Sequence, residues 1–147
     1  MAAGNWIVYD QAKLNLGEAA FNLSSGTFVL ILATTAYVPA VTTDATYANV
    51  SADEVVTGGG YTVGGIVLPS LSWSVSGATA TFTSAAAAWS AATFTLRYGV
   101  IINRAGASLA STDKLFCYSD LGGGSSITNG GATFTVQMNA SGIVTLT

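Results

Sequence analysis

The chain has 147 residues, about the size of one domain, and carries few charges for that length. Only 7% of its residues are charged, against about 25% in ordinary globular proteins, and the mean hydropathy is +0.54. The net charge of −3 and the four scattered basic residues argue against a nucleic-acid partner, because phosphate neutralisation needs clustered lysine and arginine.

The apolar composition does not indicate a membrane helix. The longest uninterrupted apolar run, Phe28–Ala33, is far shorter than the ~20 residues that such a helix needs. The segment Met1–Asn5 has no basic region followed by an apolar stretch, so we expect no secretory signal. Cys117 is the only cysteine, which excludes an intrachain disulfide and predicts a small buried residue. We expect other protein subunits to cover the apolar surface.

The N-terminal residues 1–12 are predicted to form an extended arm, with a short strand in Asn5–Asp10. Lys13–Leu16 alternates only briefly between polar and apolar residues. The next clear element is Thr27–Ala33, which is apolar on both faces. This pattern is typical of a central strand that is covered on both sides.

The segment from Thr34 to Gly60 has no sustained periodicity and is predicted to be irregular. Within it, Ser51 precedes the acidic residues Asp53 and Glu54, which is the pattern of a helix start. The sequence therefore predicts at most one short helix, near residues 51–56.

A β-hairpin is predicted in the middle of the chain, with Ser76 and Gly77 as its two-residue turn. The resulting register pairs apolar residues with apolar residues: Val75 with Ala78, Trp73 with Ala80, and Leu71 with Phe82. We expect Trp73, which lies on the apolar side of this hairpin, to pack in the core. Ala85–Ser90 follows and is expected to be irregular or strand-like.

The longest clean alternation runs from Phe94 to Ile102, with an apolar residue at every second position. Such a strand should lie inside a sheet, paired on both edges. Leu115–Tyr118 is predicted to return antiparallel beside it. On its other face, Arg97 is predicted to be a buried or half-buried polar anchor, paired with an acid such as Asp113 or Asp120.

Two further strands, Thr133–Met138 and Ile143–Thr147, complete the predicted fold. Many short strands joined by Gly-, Ser- and Asn-rich turns, without helical periodicity, indicate an all-β protein. The prediction is one antiparallel β-sandwich domain of the jelly-roll-like class, covering residues 1–147.

The residues needed for common enzyme chemistry are largely missing. The chain has no histidine, which excludes Ser-His-Asp and Cys-His triads, and one cysteine cannot form a zinc site. Two of the seven carboxylates could form a glycosidase-like pair, and Asp53 with Glu54 could bind calcium. Solvated charges explain these carboxylates more simply, so we expect no enzyme, no cofactor and no metal.

Five aromatic residues in weakly patterned segments are the candidate site residues. They are Trp6, Tyr9, Tyr37, Tyr47 and Trp89. Aromatic side chains are enriched at protein interfaces, and the charge-poor composition favours that interpretation. The alternative is a platform on which sugar rings stack.

Several segments together resemble small virion structural proteins of tailed bacteriophages. The residues that carry the resemblance are 5–9, 46–55, 60–65, 94–101 and 139–146. Within that class, the size and all-β prediction are most similar to a capsid decoration (cement) protein. The resemblance covers most of the chain and includes no catalytic residues.

The resemblance implies a structural role on the outer surface of the virion, and in the host cytoplasm during assembly. The implied partners are the major capsid protein and further copies of this chain, with no nucleic acid and no membrane. The acidic charge is better suited to the outer surface than to the DNA-facing interior. The alternative is a head-fibre, tail or baseplate component that contacts the host surface or a glycan.

Overall fold

The structure is a computed structural model that describes residues 1–147 and is built mainly of short β-strands. The twelve strands are β1 Ile7–Val8, β2 Thr27–Ala33, β3 Ile66–Val67, β4 Ser72–Ser76, β5 Thr79–Thr83, β6 Ala87–Trp89, β7 Thr95–Leu96, β8 Tyr98–Arg104, β9 Lys114–Asp120, β10 Ile127–Thr128, β11 Phe134–Val136 and β12 Val144–Leu146. One α-helix, α1, spans Asp10–Gly17, and 3-10 turns lie at Tyr47–Asn49 and Ser51–Asp53.

A five-stranded antiparallel sheet in the order β1-β9-β8-β2-β3 is the centre of the fold. Strands β2 and β8 pair over seven residues, from Thr27 opposite Arg104 to Ala33 opposite Tyr98. Every residue of β2 after Thr27 is buried, because both faces of the strand are covered. The predicted central strand, and the antiparallel placement of β9 beside β8, are confirmed.

A three-stranded sheet in the order β12-β5-β4 packs on the central sheet and closes a sandwich. Its Phe82 ring lies 5.1 Å from the Phe28 ring and 5.5 Å from the Phe116 ring, centroid to centroid. Two smaller antiparallel pairs, β10-β7 and β11-β6, complete the structure. The all-β, antiparallel prediction is confirmed, and 34 buried hydrophobic residues form one cluster.

The long alternating segment is interrupted at Arg97, which separates β7 from β8. The Arg97 backbone N–H donates to the Ala33 carbonyl at 2.8 Å, outside the regular ladder. Its guanidinium donates to Asp120 at 2.8 Å and lies over the Tyr98 ring. The predicted pairing of Arg97 is thus confirmed with Asp120.

The hairpin forms, but its turn lies one residue later than predicted. Trp73 faces Phe82 and Ser76 faces Thr79, so the two loop residues are Gly77 and Ala78. Gly77 has φ 62°, which suits the first loop position of a II′ turn, where glycine avoids the Cβ penalty. Both registers pair apolar with apolar residues, so the alternation could not distinguish them.

The short helix predicted near residues 51–56 is present only as the 3-10 turn Ser51–Asp53, and the α-helix α1 near the N-terminus was not predicted. Only Ala12 and Asn15 of α1 are buried, so the helix lacks the apolar stripe by which periodicity is recognised. The residues before α1 are attached to the central sheet, because β1 pairs with β9. The eight-residue α1 and the 3-10 turns do not meet the length or apolarity required to cross a membrane.

Candidate functional site

Four of the five aromatic residues predicted at an interface lie in the interior instead. Tyr9, Tyr37, Tyr47 and Trp89 are all buried, with at most 9% of their surface exposed. Three of them pack against other aromatic rings: Tyr9 against Tyr118, Tyr37 against Tyr98, and Trp89 against Phe94 and Phe134. As a correction, these side chains pack within the chain and are not presented to a partner.

Trp6, the fifth predicted residue, is only partly buried and lines a cavity of about 350 Å³. The other lining groups are mostly polar: Asn5, Asn139, Ser141 and Thr145 among them. The ring also lies close to Gly99 of β8, where a Cβ would make an ordinary van der Waals contact with the Trp6 Cη2 atom at 3.6 Å.

Glu54, a weak candidate in the sequence, is the centre of a buried hydrogen-bond network. It accepts hydrogen bonds from the hydroxyl groups of Tyr47 and Tyr61, the latter at 2.6 Å, and from the Gly64 N–H at 2.7 Å. The Tyr61 hydroxyl also accepts the Leu32 N–H of β2 at 3.1 Å. Burial, and the adjoining Glu54 carboxyl group, raise the pKa of both tyrosines above the ordinary value. The network ties a surface loop to the central sheet.

A second network joins α1 to the irregular segment. The hydroxyl groups of Tyr9 and Tyr37 are 2.6 Å apart, and Tyr37 donates to Asp44 at 2.8 Å. Asp44 also accepts the Ala40 N–H at 3.0 Å. Burial raises the pKa of both Tyr9 and Tyr37.

Asp113 and Asp120 hold loops beside β9. Asp113 accepts the N–H groups of Ala105 and Ala110, at 3.1 and 2.8 Å, and thereby shapes the loop between β8 and β9. Asp120 accepts from the N–H groups of Gly122 and Gly124 in addition to Arg97. Arg97 is the main cause of the lowered Asp120 pKa.

These carboxylates therefore act as acceptors for loop and tyrosine donors. No cluster of three or more His, Cys, Asp or Glu side chains is arranged to hold a metal ion. In particular, Glu54 faces its tyrosines and does not join Asp53 in a shared site. Cys117 is fully buried, as predicted, and burial raises its thiol pKa.

An exposed apolar surface lies on the three-stranded sheet and is here called the overhang. It comprises Trp73 and Val75 of β4, Ala80 of β5, and Leu146 of β12. Val75 faces Ala80, which also faces Leu146, so the three side chains share one face of the sheet. On that same face, Phe82 is buried in the core, whereas Val75 is 70% exposed and Leu146 is 52% exposed. The sheet extends beyond the core that it covers.

The overhang continues into an apolar groove of about 400 Å³, which Trp73 and Leu146 line together with Leu16, Phe21 and Leu23. Trp73 was predicted to pack in the core, whereas it is only partly buried and lies beside this exposed surface. The hairpin pattern shows that the face is apolar, but not how far the opposing sheet extends.

Strand β4 also forms a free edge of its sheet, since its only neighbour is β5. Its residues Ser72–Ser76 contain neither a charge nor a proline, and all of them except Trp73 are exposed. Natural edge strands are usually protected by charges, prolines or bulges against pairing with another chain. Strand β4 has neither charges nor prolines, so the backbone groups on its free edge are available to a partner strand.

Comparisons with protein-family models, with curated proteins and with solved structures gave no match.

Proposed function

We propose that this chain is a structural protein that binds neighbouring protein subunits through the overhang, and that it decorates the outer surface of a tailed-phage capsid. The carrying observation is the combination of an uncharged free edge at β4 with the exposed apolar side chains of Val75 and Leu146 on the same sheet. Contiguous apolar surface and unprotected edges favour protein contacts. The resemblance described above supports the virion as the location.

The pattern of β4 also supports self-association, which the proposal includes. Antiparallel pairing of two copies about Ser74 would place Trp73 of one copy opposite Val75 of the other. Ser72 would then face Ser76, so apolar residues meet apolar residues and polar residues meet polar residues. The major capsid protein is the proposed second partner, and repeated weak contacts on a lattice would add to the strength of attachment.

The location is tested by cryo-electron microscopy of intact particles. We expect many tens to hundreds of copies, regularly placed on the capsid lattice. A few copies at the tail or at one vertex would refute a decoration role.

The binding surface is tested with Val75→Lys, which places a charge on the free edge without entering the core. We expect the variant to fold but to lose attachment to particles, because a buried unpaired lysine is costly at an interface. Val38→Lys is the matched control, since Val38 is 79% exposed and lies outside the strands. Equal attachment of both variants would show that the overhang is not the contact surface.

A second candidate function, a head-fibre, tail or baseplate component that contacts a host glycan, is favoured by the Trp6 cavity. An aromatic ring beside amide and hydroxyl groups offers both an apolar face and hydrogen-bond partners. We expect glycan-array binding that disappears in Trp6→Ala but persists in Val75→Lys. An array without binding by the wild-type chain would remove this candidate.

A further inference from the structure

A second cavity, of about 240 Å³, lies between the turn at Gly64–Gly65 and the loop that joins β8 to β9. Arg104, the last residue of β8, lines it together with Tyr47 and Ser108. Arg104 is the only charged residue among the lining groups. The cavity is separate from the overhang and from the Trp6 cavity.

The Arg104 side chain makes no hydrogen bond or ion pair within the chain, and its Nε atom is buried without a partner. The other arginine, Arg97, is paired with Asp120, and Lys13 is paired with Asp10. A buried donor without an acceptor is costly, and such groups are rare in folded proteins. The fold therefore holds a guanidinium beside a cavity without an ion-pair partner in the chain.

The carboxylates of Asp113 and Glu54, which hold the segments on the two sides of the cavity, accept hydrogen bonds from other donors. Asp113 accepts the Ala105 and Ala110 N–H groups, and Glu54 accepts two tyrosine hydroxyls and the Gly64 N–H. These bonds also hold both walls of the cavity in place. The turn wall is further restrained at Gly65, where a Cβ would lie 2.1 Å from the Leu30 carbonyl oxygen. A site whose walls are already ordered loses little conformational freedom when a ligand binds.

We propose that the Arg104 cavity is a binding site for a carboxylate group. The planar guanidinium presents paired N–H donors that match the two oxygens of a carboxylate, and the Ser108 hydroxyl offers a further donor. A single cation balances one negative charge, whereas a phosphate dianion would retain an uncompensated charge. The volume suits a small organic acid, or the carboxylate end of a protein chain or of an acidic side chain, better than a larger ligand.

Nuclear magnetic resonance on the full-length chain tests this site with sodium acetate as the probe, titrated against sodium chloride at equal ionic strength. A second arm uses a short peptide whose only carboxylate is its C-terminus, compared with the same peptide amidated. We expect saturable shifts of the Gly64, Gly65 and Ser108 amide signals and of the Arg104 Nε–H signal. Saturable shifts with acetate would show that a free organic acid is a sufficient ligand. Shifts with the acid peptide alone would identify the ligand as a carboxylate of a protein chain.

Arg104→Met and Arg104→Lys are the test variants, and Lys114→Met is the control for loss of a nearby cation. We expect Arg104→Met to abolish the saturable shifts and Arg104→Lys to weaken binding roughly tenfold, because lysine lacks the planar fork. Lys114→Met should bind as the wild type does. The proposal is overturned if wild-type signals do not saturate with either probe, if Arg104→Met retains them, or if inorganic phosphate binds more tightly than acetate. None of these outcomes depends on whether the chain binds capsids.

Discussion

Replacement of Glu54 by glutamine is the most direct test of how the surface loops are held to the sheets. Three donors converge on this carboxyl group: the Tyr47 and Tyr61 hydroxyls and the Gly64 N–H. The residue is only 5% exposed, so its hydrogen-bond partners are mainly protein groups. A carboxylate can accept all three bonds, whereas glutamine brings its own N–H₂ donors to a place where donors already point.

The expected loss follows from the strength of the three bonds. Hydrogen bonds to a charged group contribute about 1.5–3 kcal/mol and neutral ones about 0.5–1.5 kcal/mol, so each bond loses roughly 1 kcal/mol. We therefore expect Glu54→Gln to lower the free energy of unfolding by about 3 kcal/mol. For a chain of this size that corresponds to a fall in Tm of roughly 6–12 °C.

Urea unfolding followed by circular dichroism measures this change. Glu18→Gln is the matched control, because Glu18 is exposed and its side chain has no hydrogen-bond partner. It should differ from the wild type by less than about 0.5 kcal/mol. A change in unfolding free energy for Glu54→Gln that is as small as the change for Glu18→Gln would contradict this expectation.

Three further predictions concern pH and backbone geometry. Because burial raises the pKa of Tyr9 and Tyr61 above the ordinary 10.0, the stability that the neutral phenols contribute is complete below that pH and declines above it. Near-ultraviolet absorbance should show that these two tyrosines ionise only as the chain unfolds. Ionisation of all tyrosines near pH 10.0 with the fold intact would contradict this expectation. Because Arg97 lowers the Asp120 pKa below the ordinary 3.8, the ionised carboxylate contributes stability above that pH, and this contribution is lost as the pH falls through the lower folded-state pKa. The difference in unfolding free energy between the wild type and Asp120→Asn should therefore shrink in acid. A difference that stays constant with pH would count against the pairing. Gly65→Ala should destabilise the chain by more than about 1 kcal/mol, because φ is 64° and the new Cβ would meet the Leu30 carbonyl. Gly123→Ala, where φ is 58° but the surrounding space is open, should destabilise the chain less, as measured by thermal unfolding. Equal losses of stability would show that the close approach to Leu30 is unimportant.

Much of the sheet structure was predictable from local alternation and apolar runs. Thr27–Ala33 is apolar on both faces and becomes the central β2, and Leu115–Tyr118 lies beside β8 as expected. The Arg97–Asp120 pair was one of two alternatives, since a charge on a sheet face needs an opposite charge within reach.

The candidate site was much less predictable, because burial of the loop aromatics depends on where distant segments return. Tyr47 and Tyr61 lie in segments without periodicity, yet both hydroxyls bond to Glu54. Acidic residues next to a short helix start gave no indication that one of them would be buried. Likewise, nothing local to Arg104 indicates that no carboxylate will reach it.

Sequence alone determined that this chain is built of antiparallel strands, because a two-residue period with one apolar face is stable only in a sheet that covers it. Only the tertiary structure decided how far each face is covered. The hairpin alternation runs unchanged from Phe82 to Val75, but the opposing sheet covers the first and leaves the second exposed. Coverage depends on the lengths and relative positions of two sheets, which are set by contacts between residues far apart in the chain.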